Sequence, residues 1–417
     1  MKNTGYYMPA EYEEHDAVWL GWQDFPPYRQ PFLDVATALI NKVPLKMIAN
    51  DETSLENLKN ALMEKEIDPK KVEFFIMEDN RLWMRDHGAT YLLNEEGEKA
   101  VLDFKWSAYA YYDFQLVKQK GDKKKAQEET DKELAKNTGI VDRLMAETAT
   151  LPIIDTDIVM EGGSIEVNGN GTLILCEKVT FQRNPGMSKV ELEAAFKKAL
   201  GVSHIIWLPE GLADDPHFFS QIDGDLYGYG TGGHTDEFVR FIDNNTVFLA
   251  WVDEAEKDEN SINRINYERM RKNLEILESS MDQDGNPIKV IKVPIPDLSF
   301  QEVEVVEEME GEYDLNVPLD MIGKSDKELK LGNKLKRVPA SSYLNYLVTN
   351  GVVLLPSYTS ETTSEEKEAK VKSLFQEAFP DRELIFLNAM KLNYFGGGIH
   401  CITQQEPKAK NQQKNSP

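Results

Sequence analysis

A chain of 417 residues can bury a large core, and a hydrophobic content of 41% is that of a protein that folds. A formal charge of −25 excludes the basic footprint that nucleic-acid binding needs, while a cationic ligand would be drawn to such a surface. No run of 18 or more apolar residues predicts a membrane span, and Met1 to Met8 lacks the apolar stretch of a signal peptide.

Only two cysteines occur, Cys176 and Cys401. Their unlike contexts do not read as a disulfide framework, which fits a reducing, cytoplasmic setting.

Taken in chain order, the pattern predicts repeated units of hairpin, helix and strand. The first is irregular, with strands at Ala17–Trp22, Leu45–Ala49 and Val72–Met77 and a helix over Ser54–Glu64. The second has a hairpin of Ala89–Asn94 with Ala100–Phe104, a charged helix over Lys123–Glu147 and a strand at Leu151–Ile154. The third pairs Ser164–Val167 with Thr172–Cys176, then a helix over Ser188–Leu200 and a strand at His204–Leu208. Ser188 with Glu191 three residues on is a capping box.

The fourth pairs Phe238–Ile242 with Thr246–Trp251, followed by Ser261–Ser280 and Lys289–Val293. The fifth pairs Tyr343–Val348 with Val352–Pro356, followed by Ser364–Ala378 and Leu384–Leu387. Turn residues between β-branched runs carry these hairpins, and amphipathic periodicity carries the helices. The chain therefore reads as an α/β protein of five ββαβ units, forming one domain over 1–407 with a disordered tail over 408–417. Two stretches fall outside the scheme. Lys118–Lys136 is a solvated helix face, and Leu298–Arg337 is an acidic insertion at the surface or a lid.

Residues suited to chemistry recur at equivalent places. Asp86, Glu161, His234 and Cys401 each follow the third strand of a unit, and Tyr343 and Asn345 hold the fifth such place. Units set around a common axis would bring these residues into one site.

Cys401 ends the run Gly396-Gly397-Gly398-Ile399-His400. Three successive glycines cost backbone entropy and suit a loop that approaches a ligand closely, so Cys401 reads as an exposed nucleophile. Cys176 ends an apolar strand and reads as a core residue.

His234 and Asp236 lie two apart, on one face of an extended strand, and offer an acid–base group beside a carboxylate. No second histidine stands at ligand spacing, so a metal site is a weak reading. Trp83 with Asp86 could hold a cation by stacking and charge, and Glu161 could orient a histidine. Each of these motifs has an ordinary structural alternative, such as a turn, a salt bridge or a surface pair. Together they bring several carboxylates to one place, and a planar, always-charged guanidinium would satisfy them.

These residues resemble the agmatine deiminases and the related bacterial peptidylarginine deiminases of the guanidino-group-modifying superfamily. The resemblance rests on Met8 to Tyr12 with Trp19 and Trp22, Trp83 to Asp86, Glu161 to Gly163, Gly233 to Asp236, Ser342 to Tyr346, and Gly396 to Gln405. Arg183-Asn184-Pro185 is also similar.

The resemblance implies the pentein fold, a five-bladed pseudosymmetric α/β propeller. It implies hydrolytic deimination of a small cationic guanidinium substrate, with no cofactor and in a homo-oligomer. Cys401 would be the nucleophile, Asp86 and Asp236 would grip the guanidinium, and His234 would move protons, oriented by Glu161. Trp83, Gly398 and Asn345 would complete the substrate contacts.

Agmatine is the expected substrate. Peptidyl or free arginine is the alternative, with Arg81 or Arg183 to meet a carboxylate, and amidino transfer is a second chemistry on the same scaffold. A silent guanidinium-binding protein is the alternative of another class. The sequence departs from the family at Asp86-His87-Gly88-Ala89, where Asp-Thr-Gly-Pro is usual.

Overall fold

The structure is a computed structural model that describes residues 5–409 apart from 79, 80, 310, 312, 313 and 361. The predicted tail therefore lies almost wholly outside the described residues.

The fold is mixed α/β, with six sheets among the described residues. Five of them share one wiring: two antiparallel strands, then a helical connection, then a third strand parallel to the second. Thr90–Asn94, Lys99–Lys105 and Ile153–Val159 follow it. So do Glu166–Val167, Thr172–Cys176 and His204–Leu208. Val239–Phe241, Thr246–Trp251 and Lys289–Pro294 make another, and Leu347–Thr349, Val352–Ser357 and Glu383–Asn388 make the next.

The irregular N-terminal unit is completed from the far end of the chain. His15–Gly21 pairs antiparallel with Thr403–Pro407 and parallel with Leu45–Ala49. The middle strands are nearly all apolar and buried, as strands covered on both faces must be.

Several elements differ from the sequence reading. The helix expected over Lys123–Glu147 is two helices, Lys123–Lys136 and Val141–Thr148. Gly139 separates them at φ +68°, a conformation favoured by glycine. Pro26–Leu39 forms a helix that the reading missed, with prolines in its first turn, where their lack of an N–H is harmless.

Leu298–Arg337 is not a loose insertion. Gln301–Val306, Val317–Pro318 and Lys334–Val338 join Ser220–Asp223 and Leu226–Gly228 in a five-stranded sheet. Its core includes Phe219, Tyr227, Val303, Val305 and Leu335. Among the described residues no helix is long and apolar enough to cross a membrane.

Candidate active site

The wiring places chemistry just ahead of the first strand of each repeated sheet. Asp86 lies in the helical turn Met84–His87 before Thr90, and Glu161 precedes the turn Gly162–Ser164 before Glu166. His234 caps the turn Thr235–Glu237, which holds Asp236, before Val239. Asn345 precedes Leu347, and Cys401 precedes Thr403. His234 and Asp236 thus share a tight turn, not the extended strand expected from their spacing.

All these groups are buried. Glu161 is fully enclosed, and Cys401 is not exposed as its glycines led one to expect but 4% exposed, because its loop packs against Trp83 and Asn345. The His234 Nε2 lies 3.3 Å from Glu161 Oε2, and its Nδ1 lies 3.6 Å from Asp86 Oδ1. Burial opposes the imidazolium, but Asp86, Glu161 and Asp236 outweigh it and lift the His234 pKa to about 9.

Burial would raise Glu161, yet Arg183 and His234 bring it down to about 2. Arg183 Nε donates to both Glu161 oxygens at 2.8 and 3.0 Å. Burial lifts the Asp86 carboxyl to about 6; His234 opposes this, and Asp236 and Glu161 add to it. Tyr109 donates its hydroxyl to Asp86 Oδ2 at 2.8 Å.

Gly163 lies where three of these side chains converge. A Cβ there would stand 2.6 Å from His234 Nδ1, 2.8 Å from Asp86 Oδ1 and 3.1 Å from Asp236 Oδ2. Only a hydrogen fits.

The thiol is held by Asn345, whose Nδ2 lies 3.1 Å from Cys401 Sγ and 2.8 Å from Glu237 Oε1. Asp236 Oδ2 is 3.8 Å from the sulfur. Burial and the charges of Asp236, Glu237 and Asp86 push the Cys401 thiol well above its usual pKa. The group Asp236, Glu237 and Cys401 has ligand atoms close enough to share a metal ion. Asn345 Nδ2, however, lies 2.8 to 3.4 Å from an atom of each, so its two N–H groups already point into this cluster.

The glycines before the cysteine allow close packing. A Cβ on Gly397 would meet the Trp83 ring at 2.5 Å, and one on Gly398 would meet Asn345 Oδ1 at 2.4 Å. Trp83 therefore lies over the loop that carries the thiol.

Sequence reasoning missed several members of the site. Tyr109 sits in a run of three left-handed residues, Ala108, Tyr109 and Ala110, at φ +49°, +60° and +56°. Such a run costs about 1–2 kcal/mol per residue, and no glycine marks it in the sequence. The neighbouring His217, depressed to about pKa 4 chiefly by burial, bonds the Tyr109 carbonyl through Nε2 at 2.6 Å. Asp215 takes the backbone N–H groups of Gly233 and His234 at 2.8 and 3.0 Å.

A buried ion network lies behind the thiol. Glu11 pairs with Arg240 at 2.9 Å and with Arg85 at 3.6 Å, and Arg240 also meets Glu166 at 3.0 Å. An arginine in the otherwise apolar strand Val239–Phe241 was its legible signal. Of the two arginines considered for a substrate carboxylate, Arg183 is spent on Glu161, and Arg81 bonds the Lys136 carbonyl. His87 accepts from the Arg81 backbone N–H and stands edge-on to Trp106.

Among the described residues, two buried polar atoms at the centre make no hydrogen bond: Asp236 Oδ1, and His234 Nδ1, which stands 3.6 Å from Asp86 Oδ1. An unmet buried acceptor is costly, so Asp236 Oδ1 marks a place for a polar, cationic ligand.

Known proteins share this chain's whole length. An agmatine deiminase of Pseudomonas aeruginosa (strain UCBPP-PA14) is 29% identical, the match covering 97% of this chain and 96% of that one. The solved agmatine deiminase of Enterococcus faecalis superposes with a TM-score of 0.71 at 25% identity, over 97% of both chains. That of C. jejuni, 19% identical, shares the fold with a TM-score of 0.65 over 97% and 96% of the two chains. The class so defined is a deiminase, a hydrolase of C–N bonds. The chain belongs to the Porphyromonas-type peptidyl-arginine deiminase family, whose profile matches residues 7–407.

Proposed function

We propose that this protein hydrolyses agmatine to N-carbamoylputrescine and ammonia through a covalent Cys401 intermediate. The observation that carries the reading is Asp236 Oδ1, a buried acceptor with no hydrogen bond, beside the Cys401 thiol and the His234–Asp86 pair. The shared wiring of five sheets supports a five-bladed arrangement about the site, since each contributes a residue ahead of its first strand.

In this reading Asp86 and Asp236 hold the guanidinium nitrogens. The substrate's positive charge offsets the carboxylates that keep Cys401 protonated and so favours its thiolate, the thiol proton leaving to solvent as the substrate binds. The sulfur attacks the guanidinium carbon, forming a C–S bond. A C–N bond then breaks, and His234 gives its proton to the departing nitrogen, leaving a thiouronium and ammonia. Glu161, held by Arg183, orients His234 and supports its charged form. Neutral His234 next takes a proton from water, whose oxygen attacks the same carbon. The C–S bond breaks, the ureido product and thiolate form, and water's second proton ends on ammonia as ammonium.

Agmatine is favoured over arginine because Arg183 is taken by Glu161 and cannot greet a carboxylate. The relatives named agmatine deiminase, similar along their whole length, support the same choice. Ammonia release from agmatine, free arginine and an arginine peptide, measured in parallel, tests it. Agmatine should have the highest kcat/KM. A faster arginine peptide would replace the substrate, and no release from any of the three by folded protein would end the enzymatic reading.

A further inference from the structure

His400 stands next to the thiol in sequence, yet its ring is turned to carboxylates. Its Nδ1 is 2.7 Å from Asp236 Oδ2, and its Nε2 is 2.6 Å from Glu11 Oε2. Each contact joins a ring nitrogen to a carboxylate oxygen, so each needs a proton between them. A neutral imidazole carries one, so the three groups together hold two protons. Burial, Arg240 and Arg85 work against the imidazolium, while the two short contacts favour it. With both nitrogens engaged, His400 has no lone pair to take the thiol proton and is not its base.

We infer that His400 is a positioning residue for deimination: its Nδ1–H anchors Asp236 by Oδ2, which leaves Oδ1 for the guanidinium. This inference rests on the proposed function.

The carboxylate has few other constraints. Oδ2 receives only a 3.4 Å contact from Asn345 and the 3.8 Å thiol contact, and Oδ1 is buried without a partner. Without the His400 donor, rotation about the Asp236 side chain could trade one oxygen for the other. Reactions of this kind lose rate steeply when the reacting atoms are misplaced by about 1 Å.

The ring is itself fixed from behind. Arg240 and Arg85 hold Glu11, Glu11 holds Nε2, and the His400 backbone N–H bonds Asn345 Oδ1 at 2.9 Å. The order of dependence therefore runs from the buried arginines through Glu11 and His400 to Asp236.

Two substitutions separate the ring's atoms. In His400→Asn the amide nitrogen stands near the place of Nδ1 and keeps a donor for Asp236. In His400→Gln it stands near the place of Nε2 and keeps only the Glu11 contact. Steady-state kinetics with agmatine, together with melting curves, should show His400→Asn within about tenfold of the parent kcat/KM. His400→Gln should fall roughly 100-fold, with kcat reduced as well as KM raised. Equal losses in the two folded variants, no loss in either, or better retention in His400→Gln would overturn the inference.

If the variants do not fold, nitrogen-15 spectra of histidine-labelled parent protein decide, because the inference requires a proton on His400 Nδ1. An unprotonated Nδ1 overturns it. A parent enzyme that releases no ammonia from any guanidinium compound sinks the proposed function instead, and the spectrum still reports on the His400 proton.

Discussion

The surroundings of the two cysteines make a controlled comparison. Cys176 is 1% exposed and Cys401 is 4% exposed, so burial does not tell them apart. Cys176 lies in one apolar cluster with Val179, Leu208 and Phe238, and its thiol donates to the Pro209 carbonyl at 3.8 Å. Burial raises its pKa to about 11, and the N–H groups of Val179 and Lys178 soften the effect. Cys401 is raised by burial too, but then by three carboxylates that no packing argument would place there. A core cysteine gains nothing from such neighbours. A nucleophile that meets a cation does, because one ligand relieves all of them at once.

Four substitutions sharpen or break that contrast. Cys401→Ala should abolish ammonia release, by roughly 10⁴-fold or more, with an unchanged melting profile. Residual turnover near the parent rate would remove the thiol from the mechanism.

Gly163→Ala should come next, with a loss of roughly 10²-fold or more in kcat/KM. Its methyl group would intrude on His234, Asp86 and Asp236 together. Normal kinetics in that variant would mean the three groups do not converge during catalysis.

Glu161→Gln should change the pH profile. His234 is raised to about 9, so its protonated form spans neutral pH and is lost as pH rises through about 9. Removing a carboxylate that holds the proton should move the alkaline limb of kcat to lower pH. It also strands Arg183 in the interior, at a cost of about 3–5 kcal/mol in denaturant unfolding. An alkaline shift of the limb would contradict the assignment.

Cys176→Ala should have the smallest effect on rate, within a few-fold of the parent. Its loss is one of packing, about 1–2 kcal/mol in unfolding free energy. A catalytic defect without loss of stability would show that the contrast between the cysteines is misdrawn.

The repeated wiring was legible because period-two strands, turn residues and amphipathic helices recur in one order. The insertion sheet was harder to see, since its strands come from two separated segments and its partners are set only by tertiary pairing. Its alternation of Glu302, Val303, Glu304 and Val305 did carry a strand signal, with the valines buried and the glutamates exposed. At the site, Cys401, His234, Asp236, Asp86 and Glu161 could be singled out because glycines or unusual neighbours flank them, and the structure brings them together. Tyr109 could not, because no glycine marks its left-handed backbone and its partners, His217 and Asp86, meet it only in the fold. Glu11 and Arg240 meet only in three dimensions.

Pairing of Thr403–Pro407 with His15–Gly21 has a consequence for synthesis. Cys401 stands two positions ahead of that closing strand, whose partner is made far earlier in synthesis. A ribosome releases the N-terminal strand long before its partner exists, at about 5–20 residues per second. The five sets of site residues cannot meet until the closing strand docks. A growing chain thus carries the Asp86, Glu161, His234–Asp236 and Asn345 segments before the segment that holds Cys401 exists.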